Sequence, residues 1–487
     1  SFFGRLTSDI KDRYLFSASL RADGSSKFAP GNRWGYFPSV AAAWRISEES
    51  FMTGAKNWIS NLKLRLSYGT AGNNRIAALA YMQTYRSRAT SYLPPSLGTS
   101  YWSAGSRMSN PDLKWETTVT GNIGIDFNIL KSKFDGTLEV YNNETKDLLI
   151  DFPTSGSGYS SQLRNIGSTS NKGIEFSLNS AIIRKKDFHL NFAFNISKNI
   201  NKVLSLGGLD EMTANAKWTS TTEASNDYKV YVGQSLGLMY GFVTDGWYTE
   251  NDFTWDGVSW ILNEGLPDNS SITGKTWGPG ALKVKDLDNN GIIENSDRTI
   301  IGNANTKHTG GFNLNAQYKG FDLSANFYWV YGNDLYNANR IELTSGLYSY
   351  RNVLSVMAPG KYYTRMNYET GELITDATTL GEMNKDATIW APVAGRYLFH
   401  SWAVEDGSFL KFNNLTVGYT IPKSLTSKIY IQNMRIYVTA LNIYTWTNYS
   451  GFDPEVDTRR QTPLTPGVDY SAYPKSRTFN IGVNLTF

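Results

Sequence analysis

Residues 286–297 read Asp-Leu-Asp-Asn-Asn-Gly-Ile-Ile-Glu-Asn-Ser-Asp, and their spacing is the sharpest chemical signal in the chain. Side-chain oxygens of Asp286, Asp288, Asn290 and Asp297 fall at positions 1, 3, 5 and 12 of this run. The main-chain carbonyl of Ile292 adds a ligand at position 7, and Gly291 permits the sharp turn between them, the pattern by which a calcium loop surrounds one hard cation. Calcium-binding EF-hands carry Glu at position 12, where this chain has Asp297. The shorter side chain makes bidentate binding less assured and a lower affinity is expected. Calcium, or alternatively magnesium, is the expected ion, with a structural role in ordering a very long loop. The competing reading is an Asx-rich turn that holds no ion.

Other chemistry finds little support. The three histidines, His189, His308 and His400, lie far apart, and none sits in a pattern that suggests a triad. They are expected to be solvated or to face a lumen. Gly274-Lys275-Thr276 lacks the glycine that a phosphate loop needs five residues earlier, where Asn269 stands, and it has no strand–helix context. No catalytic residue stands out, and the chain is not expected to be an enzyme. Loop aromatics are numerous: Tyr81, Tyr85, Tyr92, Tyr101, Trp102, Tyr348, Tyr350, Tyr362 and Tyr363. Such rings stack on sugars, but Tyr and Trp are also the residues of any protein interface, and the sequence leaves that choice even.

The elements that hold these residues follow a period of two. The chain has 487 residues, 30 of them Tyr and 14 Trp, yet its mean hydropathy is −0.37. No stretch approaches the ~18 continuous apolar residues of a membrane helix. Instead Trp115, Val119, Ile123, Ile125, Phe127 and Ile129 alternate with Glu116, Thr118, Thr120, Asn122, Asp126 and Asn128. Side chains alternate between the faces of a strand, so one face is apolar and the other polar. Runs at 62–68, 174–179, 188–197, 321–329 and 479–487 repeat the pattern. Short connections such as Lys131-Ser132-Lys133, Arg184-Lys185-Lys186 and Lys319-Gly320 alternate with long ones near 70–113, 148–170, 200–309, 333–407 and 446–475. Short turns at one end and long loops at the other mark an outer-membrane barrel, and a Greek-key sandwich has no reason to sort its loops this way.

The expected fold is therefore all-β, a transmembrane antiparallel β-barrel with about thirteen strands in this chain. Phe487 closes a last strand that ends in an aromatic residue on the short-turn side, resembling an insertion signal for outer-membrane barrels. The first strand, near 2–10, starts on the long-loop side. Single-chain bacterial barrels have even strand numbers, so residues 1–487 are expected to be the C-terminal part of a barrel, with N-terminal strands outside this chain. Segment 200–309 is expected to be a long extracellular loop carrying the metal loop 286–297. The opening Ser1-Phe2-Phe3-Gly4-Arg5 lacks the features of a signal peptide. Cysteine is absent, which excludes disulfides and thiolate metal sites. Net charge is +4, from 47 basic and 43 acidic residues without a dense basic cluster, so nucleic acid is not an expected partner.

Several blocks resemble the SusC/RagA family of TonB-dependent transporters of the Bacteroidota. They include Arg21-Ala22-Asp23-Gly24-Ser25-Ser26-Lys27-Phe28, Arg33-Trp34-Gly35-Tyr36-Phe37-Pro38, Leu64-Arg65-Leu66-Ser67-Tyr68-Gly69, and Asn110-Pro111-Asp112-Leu113-Lys114-Trp115-Glu116. The resemblance implies a barrel of about 22 strands, a class whose lumen is plugged. It further implies a plug domain and a TonB-contacting segment outside this chain, and a surface lipoprotein of the SusD type acting as a lid. The function it implies is active import of oligomeric nutrients, glycan or peptide, across the bacterial outer membrane. A passive porin-like channel and a surface receptor or adhesin are the alternatives.

Overall fold

The computed structural model describes residues 1–89, 100–154, 156–219, 226–274, 277–346, 350–393, 397–458 and 463–487. Tyr92, Lys275, Thr276 and Tyr348 lie outside the described residues. Among the described residues no helix is long and apolar enough to cross a membrane.

Thirteen strands follow one another antiparallel in a single sheet, in chain order, and a two-residue strand, Arg107–Met108, adds a parallel pairing to one of them. They are β1 (Phe2–Ile10), β2 (Tyr14–Gly24), β3 (Trp34–Arg45), β4 (Ile59–Asn73), β5 (Glu116–Ile129), β6 (Phe134–Pro153) and β7 (Ser161–Lys185). After these come β8 (Phe188–Leu206), β9 (His308–Tyr318), β10 (Phe321–Tyr331), β11 (Phe409–Thr420), β12 (Asn433–Thr447) and β13 (Thr478–Thr486). Each strand pairs with its sequence neighbours, and the sheet is open, with β1 and β13 at its edges.

Register turns the alternation of each strand into two continuous faces. Phe16, Ala42, Leu66, Ile123, Val140 and Ile174 are direct cross-strand partners, one apolar row over β2–β7. Farther along, Phe312 stacks on Phe327 at 4.7 Å between ring centres and Phe327 on Phe412 at 4.3 Å, on the same face. The opposite face is polar and charged. Lys63 Nζ and Arg65 Nη2 each lie 2.8 Å from the Asp126 carboxylate, and Arg65 also donates to Glu139. Such a cluster is costly against lipid and belongs on the interior side. The apolar rows face outward, as the sequence pattern predicts.

Connections at one end of the sheet are short: residues 11–13, 46–58, 130–133, 186–187, 319–320 and 421–432. Those at the other end include 74–115, 207–307, 332–408 and 448–477. One expected long loop is different. Segment 148–170 is mostly strand, because β6 runs to Pro153 and β7 begins at Ser161. Pairing survives there through register shifts between Asn165 and Thr169. A bulge absorbs one residue while the ladder continues, and it leaves no simple alternation to read in the sequence.

Three of these connections, 207–307, 332–408 and 448–477, are not loose. They fold into a body with hydrophobic cores of its own. One core gathers Trp218, Tyr228 and Met239 from 207–307, Tyr336, Ile341 and Phe399 from 332–408, and Val468 from 448–477. Parallel pairing of Tyr336 with Val468 joins the last two connections directly. Two further cores, around Leu282, Ile293 and Trp390 and around Tyr248, Trp260 and Tyr363, hold the first two connections together.

Candidate metal centre and loop aromatics

The run 286–297 follows a short strand, Leu282–Val284, whose buried residues belong to the core of the body. From there the chain must turn back sharply, and Asn289 and Gly291 do so with left-handed φ values of 59° and 81°. The Asp286 carboxylate accepts from the N–H of Asn289 at 2.7 Å and of Gly291 at 2.8 Å. Asp297 is fully buried and accepts from the N–H of Leu287 at 2.8 Å and of Glu294 at 2.9 Å. Asp288 is exposed and accepts from the Asn290 N–H at 3.1 Å.

This winding brings oxygens of Asp286, Asp288 and Asp297 within 4.8 Å of one another. Of the other two expected ligands, Asn290 Oδ1 already accepts from the Ile292 N–H at 2.7 Å. Burial works against charge on Asp286, but the N–H groups of Gly291 and Asn289 outweigh it and hold its carboxyl below the ordinary carboxylate range. Three carboxylates this close repel one another strongly at reduced dielectric, and a hard divalent cation with oxygen ligands offsets that repulsion.

Sequence reading missed what ties this turn to its surroundings. Ile293 is fully buried in the core, and its N–H donates to the Asp268 carbonyl at 2.8 Å. Arg298, next to Asp297, donates to the carbonyls of Asn226 and Tyr240 at 2.8 Å each. These partners lie far apart in the chain, so no local spacing announces them.

A cation here would hold the turn against its own charge. Asp286→Ala combined with Asp288→Ala is expected to speed protease cleavage within 207–307, as is chelation of the wild type, while the barrel sheet stays folded, because a segment with its own contacts can open locally. Equal cleavage in wild type with calcium, wild type with chelator and the double variant would remove the site.

The structure separates the loop aromatics by role. Tyr85 and Trp102 share a face of a two-stranded hairpin formed by Tyr85–Ala89 and Ser100–Ala104, and both are well exposed. Tyr101 occupies the other face, paired with Arg88. Tyr81 packs against the small core of Phe28, Leu113 and Leu163 and supports rather than presents. Tyr350 is exposed on the separate 332–408 connection. Tyr363 is buried and donates to Glu250 at 3.0 Å, so it is a core residue, and Tyr362 is half-buried against Tyr368.

His400 is not solvated as expected. It is buried beside Trp390, and burial, assisted by Arg340, pushes its imidazole down to about 3, so it is neutral at ordinary pH. His308 accepts from Trp329 Nε1 at 3.0 Å and stacks on Tyr331. His189 is exposed on β8. No two of the three share a site.

Comparison with known proteins adds to this geometry. Residues 1–285 match the family model described as TonB dependent receptor-like, beta-barrel. The whole chain aligns at 31% identity with 45% of TonB-dependent receptor P3 of Formosa agariphila. It aligns at 31% identity with 43% of TonB-dependent receptor SusC of Bacteroides thetaiotaomicron. Among solved structures, the RagAB peptide transporter superposes with a TM-score of 0.74 at 25% identity, over all of this chain and 47% of that one. The chain thus spans about half the length of the curated relatives it matches.

Proposed function

Because the chain belongs to the TonB-dependent receptor β-barrel family of the outer membrane, in its SusC/RagA branch, we propose that it forms part of an active importer of oligomeric nutrients. The family is one of transporters and receptors, not of enzymes. The carrying observation is the two-faced wall: apolar rows outward, and inward a polar and charged surface fit for a hydrated path. Further strands pair with the edges β1 and β13, since an open edge in lipid would leave its backbone groups unsatisfied. The long connections face the outside of the cell and Phe487 lies at the periplasmic rim.

A SusD-like surface lipoprotein is the proposed lid and TonB the proposed energy source, through a part of the transporter outside this chain. The cargo is a peptide or a glycan. Likeness to the RagAB peptide transporter supports the first. The exposed Tyr85, Tyr101, Trp102 and Tyr350 suit either cargo or the lid. Calcium, or magnesium, at Asp286, Asp288 and Asp297 orders the extracellular body and takes no part in coupling.

Uptake of labelled oligopeptides and oligosaccharides in cells with and without the gene tests this reading. One of the two classes is expected to lose uptake on deletion, and wild-type uptake should stop when a protonophore collapses the proton gradient. Gene-dependent uptake that survives the protonophore would mean a passive channel. Uptake of both classes independent of the gene would leave a surface receptor or adhesin.

A further inference from the structure

Each of the six short connections carries at least one exposed lysine: Lys11, Lys56, Lys131, Lys186, Lys319 and Lys423. They are not spread through the fold, because the short connections all lie at one end of the sheet. Among the described residues, Lys56 is the only one of the six with a carboxylate within 4.0 Å, Glu48 at 3.7 Å. The balance at the other end is opposite, since acidic residues outnumber basic ones in 207–307.

Two further features accompany the charge. Lys11, Lys131 and Lys319 have left-handed backbones, with φ of 57°, 58° and 45°. Tight turns of this hand are easiest for Gly, Asn or Asp. Lysine is therefore placed there at a conformational cost. Large apolar side chains sit beside the lysines, exposed on the same rim: Phe51, Trp58, Leu130, Tyr318, Ile429 and Tyr430. A ring of ammonium groups next to aromatic and aliphatic side chains matches the boundary of a bilayer, where phosphates meet acyl chains. Long lysine stems reach that level while their own backbone stays at the rim.

We propose that this short-turn rim binds the phosphate groups of anionic phospholipids in the periplasmic leaflet, so that the barrel carries a selected ring of lipid at that end. The assignment of leaflet rests on the orientation given under the proposed function. The binding itself rests only on the rim. The occupant is phospholipid, and the lipid A of lipopolysaccharide, which is also phosphorylated, is the rival source.

The complete transporter, reconstituted in bilayers, tests the proposal with spin-labelled phosphatidylglycerol, phosphatidylcholine and lipid A. The wild type is expected to prefer phosphatidylglycerol over phosphatidylcholine by roughly fivefold or more, as lysines near an anionic surface do, and to lose the preference in high salt. Joint replacement Lys11→Gln, Lys131→Gln, Lys186→Gln, Lys319→Gln and Lys423→Gln should bring the ratio close to one, while the same five changes to Arg should keep it. Retention of the heat-modifiable gel shift of a folded barrel confirms that both variants fold. No preference in the wild type, an unchanged ratio in the Gln variant, loss in the Arg variant, or stronger selection of lipid A would each overturn the proposal. Orientation is read separately, by labelling Ser132→Cys in intact cells with an impermeant maleimide. Labelling there would reverse the leaflet but leave the lipid ratios as evidence on the rim.

Discussion

Replacing Trp218 with Ala is expected to dissolve the body built by the long connections while the thirteen-strand wall stays folded. Trp218 is almost fully buried and joins the three connections that build this body, 207–307, 332–408 and 448–477. Its Nε1 donates to the Tyr336 hydroxyl at 2.7 Å, and its ring lies 5.0 Å from that of Tyr397 and 5.2 Å from that of Tyr470. Removing a buried Trp costs about 3–5 kcal/mol. Tyr336, itself fully buried, would also lose the donor at its hydroxyl, a further penalty of about 1–3 kcal/mol. Losses of that size are a large share of the about 5–15 kcal/mol by which whole folded proteins are stable. Limited proteolysis with mapping of the cut sites should show rapid cleavage within 207–307, 332–408 and 448–477, with β1–β13 protected. Trp218→Phe should fall between, keeping the ring contacts without the hydrogen bond. A wild-type cleavage pattern in the Ala variant would mean that the three connections are stabilised independently.

The second large effect belongs to the wall. Ile123 lies mid-way along β5, in direct register with Leu66 and Val140 and with its side chain exposed on the apolar face. Ile123→Arg places a charge against lipid and is expected to destabilise the barrel by about 2–4 kcal/mol. Asn122→Arg, one residue away on the polar face, should cost far less. Its neighbours there include Glu139, 3.3 Å from the Asn122 amide, which can accept the new cation. The measurement is the urea midpoint of the folded barrel in matched lipid. Equal shifts for the two variants would show that the faces do not differ in the way the alternation implies.

Much of the wall was legible because strand geometry is local. A period of two in Trp115–Ile129 and in 479–487 names both the strand and its faces, and lysine-bearing turns such as 319–320 give the ends. About thirteen strands follow from that reading, and among the described residues thirteen follow one another in the sheet, with only the two-residue strand Arg107–Met108 added beside them. The ladder beyond Asp147 was not legible, since bulges around Gly167 break the period that defines a strand. Nor was the body. Trp218, Tyr336 and Val468 come from three separate connections, and nothing in the neighbourhood of any one announces the other two.

The acidic loop 286–297 lies between these cases. Its acids are spaced by the turn itself, so the approach of Asp286, Asp288 and Asp297 was readable. Anchoring through Ile293 and Arg298 was not, because it depends on distant partners. Burial of His400 was missed for the same reason: an isolated His beside Trp402 looks identical in sequence whether solvated or enclosed.

The most direct test of a two-faced wall around a hydrated path uses the absence of cysteine from the chain. Four single-cysteine variants along β5, Thr120→Cys, Asn122→Cys, Ile123→Cys and Ile125→Cys, would be assayed in outer-membrane fragments with a water-soluble, membrane-impermeant maleimide. Positions 120 and 122 are expected to react rapidly, because they face the interior, while 123 and 125 stay shielded by lipid. Equal reaction at all four positions, or faster reaction at 123 and 125, would contradict a wall with lipid on one side and water on the other.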